Sequence, residues 1–99
     1  MPLIGFIEVS IRLYGVHSLK GKRSIVRPLQ SKLVKHFNCA VVESDMHDSH
    51  DVAVLSAVSI NTNSVELSKT LDRIESVLSS NGSSDITVSC REIIHSGSK

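Results

Sequence analysis

The sequence predicts one α+β domain, residues 1–99, in which two amphipathic helices cover one face of a four-stranded antiparallel sheet. Two observations lead to this prediction. The spacing of apolar residues changes between a period of two, typical of strands, and a period near 3.6, typical of helices, and the resulting order is β-α-β-β-α-β. The length agrees, because a chain of this size forms one domain and buries roughly 65% of its unfolded surface.

The first strand is predicted over residues 3–13, where one face is strongly apolar. That face holds Leu3, Ile7, Val9, Ile11 and Leu13. The first helix follows over residues 19–37, with Ser18 as its N-cap. Its apolar stripe contains Ile25, Leu29, Leu33 and Phe37. Pro28 lies inside this helix and removes one backbone hydrogen bond, so we expect either a kink near Ser24 or a first turn that is a separate piece.

Two further strands are predicted on either side of the polar segment 46–51, which is either a loop or a strand extension. The segment 38–45, "NCAVVESD", forms the second strand. The segment 52–61, "VAVLSAVSIN", carries small or apolar residues on both of its faces. This pattern is typical of a strand in the centre of a sheet.

The second helix begins after Asn63, which is its predicted N-cap in a loose capping box. Its apolar stripe contains Leu67, Leu71, Ile74 and Leu78. Asn81 and Gly82 form a predicted C-cap. A fourth strand over residues 85–94 and a frayed Ser/Gly-rich tail over residues 95–99 complete the chain.

The ferredoxin-like sandwich is the usual solution for this order of elements, and the right-handed crossover rule gives the sheet order 4-1-3-2. Strands 2 and 4 are then opposite edges, roughly 14 Å apart. Cys39 and Cys90 lie on these two edges, so no disulfide between them is expected. Both are expected to be buried, reduced thiols.

The composition points to the cytosol as the expected location. The chain has no apolar run near 18 residues, so no membrane span is expected. The first ten residues, "MPLIGFIEVS", lack the basic region and the cleavage pattern of a secretory signal peptide. Aromatic residues are 3% of the chain, so the core must be built from Val, Ile, Leu and Ala.

Three segments share a recognisable pattern: "HSLKGKRSIV" after the first strand, then "HFN", then "ESDMHD" before the third strand. The matching residues are Ser18, Leu19, Lys20, Lys22, Arg23, Phe37, Asn38, Glu43, Asp45, Asp48, Ala53 and Leu55. They resemble the YlxP-like family, a bacterial domain of unknown function, over nearly the whole chain. Genes of that family often lie among genes for translation initiation and ribosome maturation. The resemblance therefore implies a ferredoxin-like fold and association with RNA or the ribosome, and it implies no catalytic residues.

Positive charge is concentrated in the N-terminal part of the chain, although the formal net charge is only +1. Residues 1–37 hold seven Lys or Arg and one acid, whereas the rest of the chain holds four and nine. Lys20, Arg23 and Arg27 fall within about 60° of one another around the first helix. With Lys22 they are the predicted anion- or RNA-binding residues, near a helix N-terminus that also favours anions. The alternative is an ordinary solvated helix face.

Other reactive side chains are weaker candidates. His47 and His50 point to opposite sides of an extended segment, and the aspartates around them do not converge, so neither a metal nor a cofactor is expected. Glu43 and Asp45 are expected to share one face of the second strand. There they suit acid–base chemistry, protection of a sheet edge or an ion pair. The predicted partners of such a pair are Arg12 and Arg91.

The sequence thus predicts a small non-enzymatic module that binds RNA or a ribosomal partner through its basic first helix. The alternative is a homo-oligomeric structural or interaction protein with no nucleic-acid role. The sheet face opposite the helices is expected to carry Ile4, Phe6 and Tyr14, with Ala or Leu from the third strand. A bare apolar face of this kind predicts a homodimer.

Overall fold

The structure, a computed structural model, describes residues 1–80 and 84–95. Its elements follow the predicted order: β1 (Leu3–Leu13), α1 (Leu19–His36), β2 (Cys39–Asp45), β3 (Val52–Asn61), α2 (Ser64–Ser79) and β4 (Ser84–His95). The strands form one antiparallel sheet in the order β2-β3-β1-β4, which is the predicted order read from the other edge. The ferredoxin-like βαββαβ arrangement is therefore confirmed.

Alternation along β1 sorts its side chains between two faces of the sheet. The odd-numbered residues from Leu3 to Leu13 are buried beneath the helices. The helix residues that complete this layer are Val26, Leu33, Leu67, Leu71, Ile74 and Leu78. Gly5 allows α2 to approach closely, because a Cβ atom at this position would lie 2.9 Å from Leu67 Cδ1.

The other face of the sheet is covered by neither helix, because both helices pack on the same side. We call it the open face; it is the side on which Ile4 and Phe6 lie. The strand register places Ile4 between Ile60 and Ile94, and Phe6 beside Val58. The prediction for β3 was wrong here, since its alanines and leucine face the helices. These buried residues are Ala53, Leu55 and Ala57.

α1 runs without interruption from Leu19 to His36, so a separate first turn was the wrong alternative. Pro28 and Ser24 are both exposed. The carbonyl of Ser24, which loses its usual donor because proline has no N–H, therefore lies on the solvent side, where water can bond it. The helix ends one residue earlier than predicted, because Phe37 has an extended backbone (φ −128°).

Both predicted N-caps are present. Ser18 Oγ accepts a hydrogen bond from Gly21 N at 2.9 Å, and Asn63 Oδ1 accepts one from Glu66 N at 3.0 Å. Each bond satisfies one of the N–H groups that have no partner within the first helical turn. Within the two described ranges, neither helix is long and apolar enough to cross a membrane.

The last strand is longer than predicted. β4 extends to His95, which pairs with Leu3 at the far end of β1, so residue 95 belongs to the sheet and not to a frayed tail. Residues 96–99 and the predicted C-cap at Asn81 and Gly82 lie outside the described residues.

Candidate nucleic-acid interface

The four cations predicted to bind an anion lie on two different faces of α1. Lys20, Arg23 and Arg27 are exposed, whereas Lys22 is only 2% exposed. Lys22 precedes the buried Val26 by four residues, which places it on the same side of the helix. The structure thus brings three of the four residues together on the surface and separates the fourth from them.

The ammonium group of Lys22 is surrounded by oxygens in the protein interior. Its Nζ donates to Met46 O at 2.8 Å and to Val52 O at 3.0 Å. It also lies 2.9 Å from Glu43 Oε2, a buried atom that accepts no well-aligned hydrogen bond. The ion pair is therefore what compensates the burial of this carboxylate. The contacts tie the start of α1 to the β2–β3 connection, so Lys22 has a structural position and does not join a surface site.

The three exposed cations form a surface that we call the basic ridge: Lys20, Arg23 and Arg27. None of them makes an ion pair with any residue in the described part of the chain. α1 itself contains no acidic residue. A shallow depression of about 600 Å³ runs along the ridge, and its lining is Lys20, Arg23, Ser24, Arg27 and Pro28.

A second depression, of about 520 Å³, continues the basic ridge towards the end of α1. It begins at Arg27 and ends at Lys35, with Gln30, Ser31 and Val34 between them. From Lys20 to Lys35 the helix rises roughly 22 Å, at about 1.5 Å per residue. The unpaired positive charge therefore extends along most of the helix.

Two cations on the other side of the helical layer, Arg91 and Lys69, do have acidic partners. Arg91 of β4 lies 2.8 Å from Asp72 and 3.5 Å from Glu75, both on α2. Lys69 lies 3.7 Å from Glu66 on the same helix. The two helices thus differ in their acids, because α2 contains Glu66, Asp72 and Glu75 whereas α1 contains none.

The two carboxylates of β2 do not share a face, contrary to the prediction. The register shifts between them, so that Glu43 pairs with Leu55 and Asp45 pairs with Val54. Consecutive residues of β3 point to opposite faces, and Glu43 and Asp45 are separated in the same way. Glu43 pairs with Lys22, not with an arginine of the sheet.

The β2–β3 connection is held by bonds among its own residues. Ser49 Oγ donates to Asp51 Oδ1 at 2.9 Å, which lowers the pKa of Asp51. His47 Nε2 lies 2.8 Å from Glu43 O. Across residues 1–80 and 84–95, no three His, Cys, Asp or Glu side chains come close enough together to hold a metal ion.

The remaining polar groups with shifted pKa values lie away from the basic ridge. Tyr14 Oη donates to Asp85 Oδ2 at 2.7 Å, and this hydrogen bond raises the pKa of Tyr14. Cys39 and Cys90 are free and lie on opposite edge strands. Partial burial raises the pKa of the Cys39 thiol.

Comparison with known proteins identifies the family of the chain. The model of a family described as a protein of unknown function, DUF503, matches residues 4–91. The chain belongs to that family. No curated protein matches it. Among solved structures, the de novo designed protein Foldit4 is similar, with a TM-score of 0.55 and 11% sequence identity over 96% of this chain and 98% of that one. At this identity the similarity to Foldit4 reflects the fold alone.

Proposed function

We propose that this DUF503 protein binds RNA, and that the basic ridge of α1 contacts the phosphate backbone of the RNA. The observation that carries the proposal is a set of three exposed cations without an acidic partner in the described chain, on a helix with no acid of its own. Lys22, which the sequence grouped with them, is left out because its ammonium is buried. The role is one of binding, not of catalysis.

A polyanion fits this surface better than a small anion does. Small ligands bind in concave sites that enclose most of their surface, whereas the two depressions on α1 are shallow. Phosphates repeated along a nucleic acid can contact cations spaced along a helix, and the release of condensed counterions then favours binding. Lys35, which lines the second depression, extends this positive surface beyond the basic ridge.

The placement of positive charge has no evident benefit for the fold itself. Lys20 lies in the first turn of α1, where the helix dipole disfavours a cation by about 0.3–1 kcal/mol. Arg23 and Arg27 form no ion pair with an acid among the described residues, so their charges are not neutralised there. A ligand that supplies negative charge would relieve this unfavourable arrangement.

Binding through the backbone implies little preference for base sequence. Proteins that read single-stranded RNA stack bases on aromatic side chains. The chain has three aromatic residues, and none lies on the exposed face of α1: Phe6 is on the open face, Tyr14 follows β1, and Phe37 packs against the core. The resemblance of the "HSLKGKRSIV" segment to the YlxP-like family, with its link to translation genes, adds support for RNA or a ribosomal component as the ligand.

The test is a triple variant, Lys20→Gln, Arg23→Gln and Arg27→Gln, titrated with a structured RNA at several salt concentrations. The parent should bind at low salt, and the logarithm of its affinity should fall steeply with the logarithm of salt concentration. The triple variant should bind much more weakly, with a salt slope reduced by about one unit for each lost phosphate contact. Gln keeps a helix propensity close to that of Lys and Arg, so the fold should be retained.

The matched control removes two cations from the other helix, Lys69→Gln and Arg73→Gln. This variant should bind nearly as well as the parent. If the parent binds no RNA at low salt, or if the triple variant keeps the parent's affinity and salt slope, the basic ridge is a solvated helix face. The homo-oligomeric alternative, with no nucleic-acid role, would then be favoured.

A further inference from the structure

One end of the open face is apolar except for Glu92 of β4, which lies beside Phe6. In the outermost row, Ile60, Ile4 and Ile94 lie side by side on β3, β1 and β4. The exposed fraction is 54% for Ile60 and 46% for Ile94. Such a cluster of exposed aliphatic side chains is typical of a surface that a partner covers.

The next rows extend this apolar area to the edge strand β2. Phe6 is paired with Val58, and Val58 with Ala40. Val58 is 41% exposed; Val42, which is 57% exposed, lies one row further, beside Ser56, in the row where the apolar area ends. Towards the other end of the face the rows become polar, with Glu8 beside Ser56, and Arg12 beside Asp85.

We propose that the open face binds the open face of a second copy of this chain, with a two-fold axis between the two sheets that runs parallel to the strands, midway between β1 and β3. Rotation about such an axis exchanges β1 with β3 and keeps each row opposite the same row of the partner. Phe6 of one copy then packs on Val58 of the other, and Ile4 packs on Ile60. Apolar rows thus meet apolar rows, and polar rows meet polar rows, as an isologous interface requires.

The area of the face is sufficient for a dimer. Four strands spaced about 4.8 Å apart, each about ten residues long at 3.3 Å per residue, present roughly 600 Å². Two such faces bury roughly 1,200 Å² in total, which is the lower end of the range for specific protein interfaces. The proposed interface therefore reaches the size of a specific one and is smaller than obligate interfaces are.

The charges of the open face are compatible with a second copy and less so with an anionic partner. Arg12 is the one Lys or Arg that the described strands place on this face. Glu8 is already bonded, since Ser89 Oγ donates to its Oε2 at 2.9 Å. Glu92 lies on the edge strand β4, at the rim of the proposed interface, where its carboxylate stays in water.

The test measures the mass of the protein in solution by light scattering after size-exclusion chromatography. At tens of micromolar the parent should have twice the mass of one chain. Val58→Lys and Ile60→Lys each bury an unpaired charge in the proposed interface, and each should raise the dissociation constant by about 100-fold or more. Both side chains are exposed in the single chain, so both variants should fold, which circular dichroism verifies.

Val65→Lys is the matched control, because Val65 is an equally apolar residue, 61% exposed, on α2 away from the open face. This variant should remain a dimer. A parent that is monomeric at tens of micromolar would overturn the proposal. So would dimers of Val58→Lys and Ile60→Lys, or a Val65→Lys variant that dissociates as they do. None of these outcomes depends on RNA binding, because the basic ridge lies on the other side of the sheet.

Discussion

Replacing Lys22 by Met should strongly destabilise the fold, although Lys22 is only one of six Lys or Arg residues in α1. Met has a similar length and no charge, so it can occupy the same space. It leaves Glu43 Oε2 buried without its cation and leaves the carbonyls of Met46 and Val52 without a donor. Breaking a buried ion pair by removing one partner costs about 3–5 kcal/mol.

The expected loss lies near the lower end of that range. The side chain of Glu43 is still 20% exposed, so water can partly solvate the carboxylate. We therefore expect Lys22→Met to lower the free energy of unfolding by about 3 kcal/mol. For a domain of this size each kcal/mol corresponds to roughly 4–8 °C in Tm, so Tm should fall by roughly 12–24 °C.

Urea unfolding followed by far-UV circular dichroism measures this loss directly. Lys32→Met is the matched control, because it makes the same chemical change at an exposed position of α1, and it should stay within about 0.5 kcal/mol of the parent. The double variant Lys22→Met with Glu43→Leu should recover part of the loss, since no unpaired carboxylate remains. Equal stability of Lys22→Met and Lys32→Met would refute the structural role of Lys22.

Two further predictions concern Tyr14 and Gly5. The hydrogen bond to Asp85 raises the pKa of Tyr14 above 10.0, so a spectrophotometric titration of this single tyrosine should have its midpoint above that value, and Asp85→Ala should lower it. Because the neutral phenol is the favoured form in the folded state, this contribution to stability is complete below the unfolded pKa and is lost as the pH rises through the folded one. Gly5→Ala should lower the free energy of unfolding by about 1–3 kcal/mol through overpacking, because the new Cβ would lie 2.9 Å from Leu67 Cδ1 and 3.1 Å from Leu67 Cγ. An unchanged midpoint in urea would mean that α2 moves away freely.

The boundaries of the two central strands could be predicted from the sequence. β1 and β3 begin and end where the sequence predicts, at residues 3–13 and 52–61. Each has one face against the helices, so any slip in register would expose the buried set of side chains. The pattern of apolar residues therefore fixes the boundaries of both strands and the buried face of β1, whereas β3 is small or apolar on both faces and its buried face was predicted wrongly.

The burial of Lys22 was missed although the sequence contained a signal for it. Lys22 lies four residues before Val26, seven before Leu29 and eleven before Leu33, which is the spacing of one helix face. A cation on an apolar stripe predicts either a buried ion pair or a side chain that reaches around to solvent. Its partner Glu43 could not be identified from this spacing, because it lies on another element and its position depends on the strand register.

The irregular pairing of β2 could not be predicted from the pattern of residues. The expectation that Glu43 and Asp45 share a face assumed a regular strand, in which residues two apart point the same way. The register shift between them reverses the second residue, as an extra residue in one strand of an antiparallel pair does. The residues in this segment do not distinguish a regular edge strand from one with a bulge, so the separation of the two carboxylates emerges only from the structure.

The one-sided arrangement of the helices determines what kind of particle the protein can make. The basic ridge and the open face point in opposite directions, with the sheet between them, so covering one leaves the other accessible. Two copies joined face to face would display their ridges on opposite outer sides. Ridges directed away from each other cannot engage neighbouring turns of one straight duplex, so the pair would gain no avidity on such a duplex. The dimer would instead connect two separate duplexes. To hold one duplex from both copies, it would need the α1 helices of both copies on the same side.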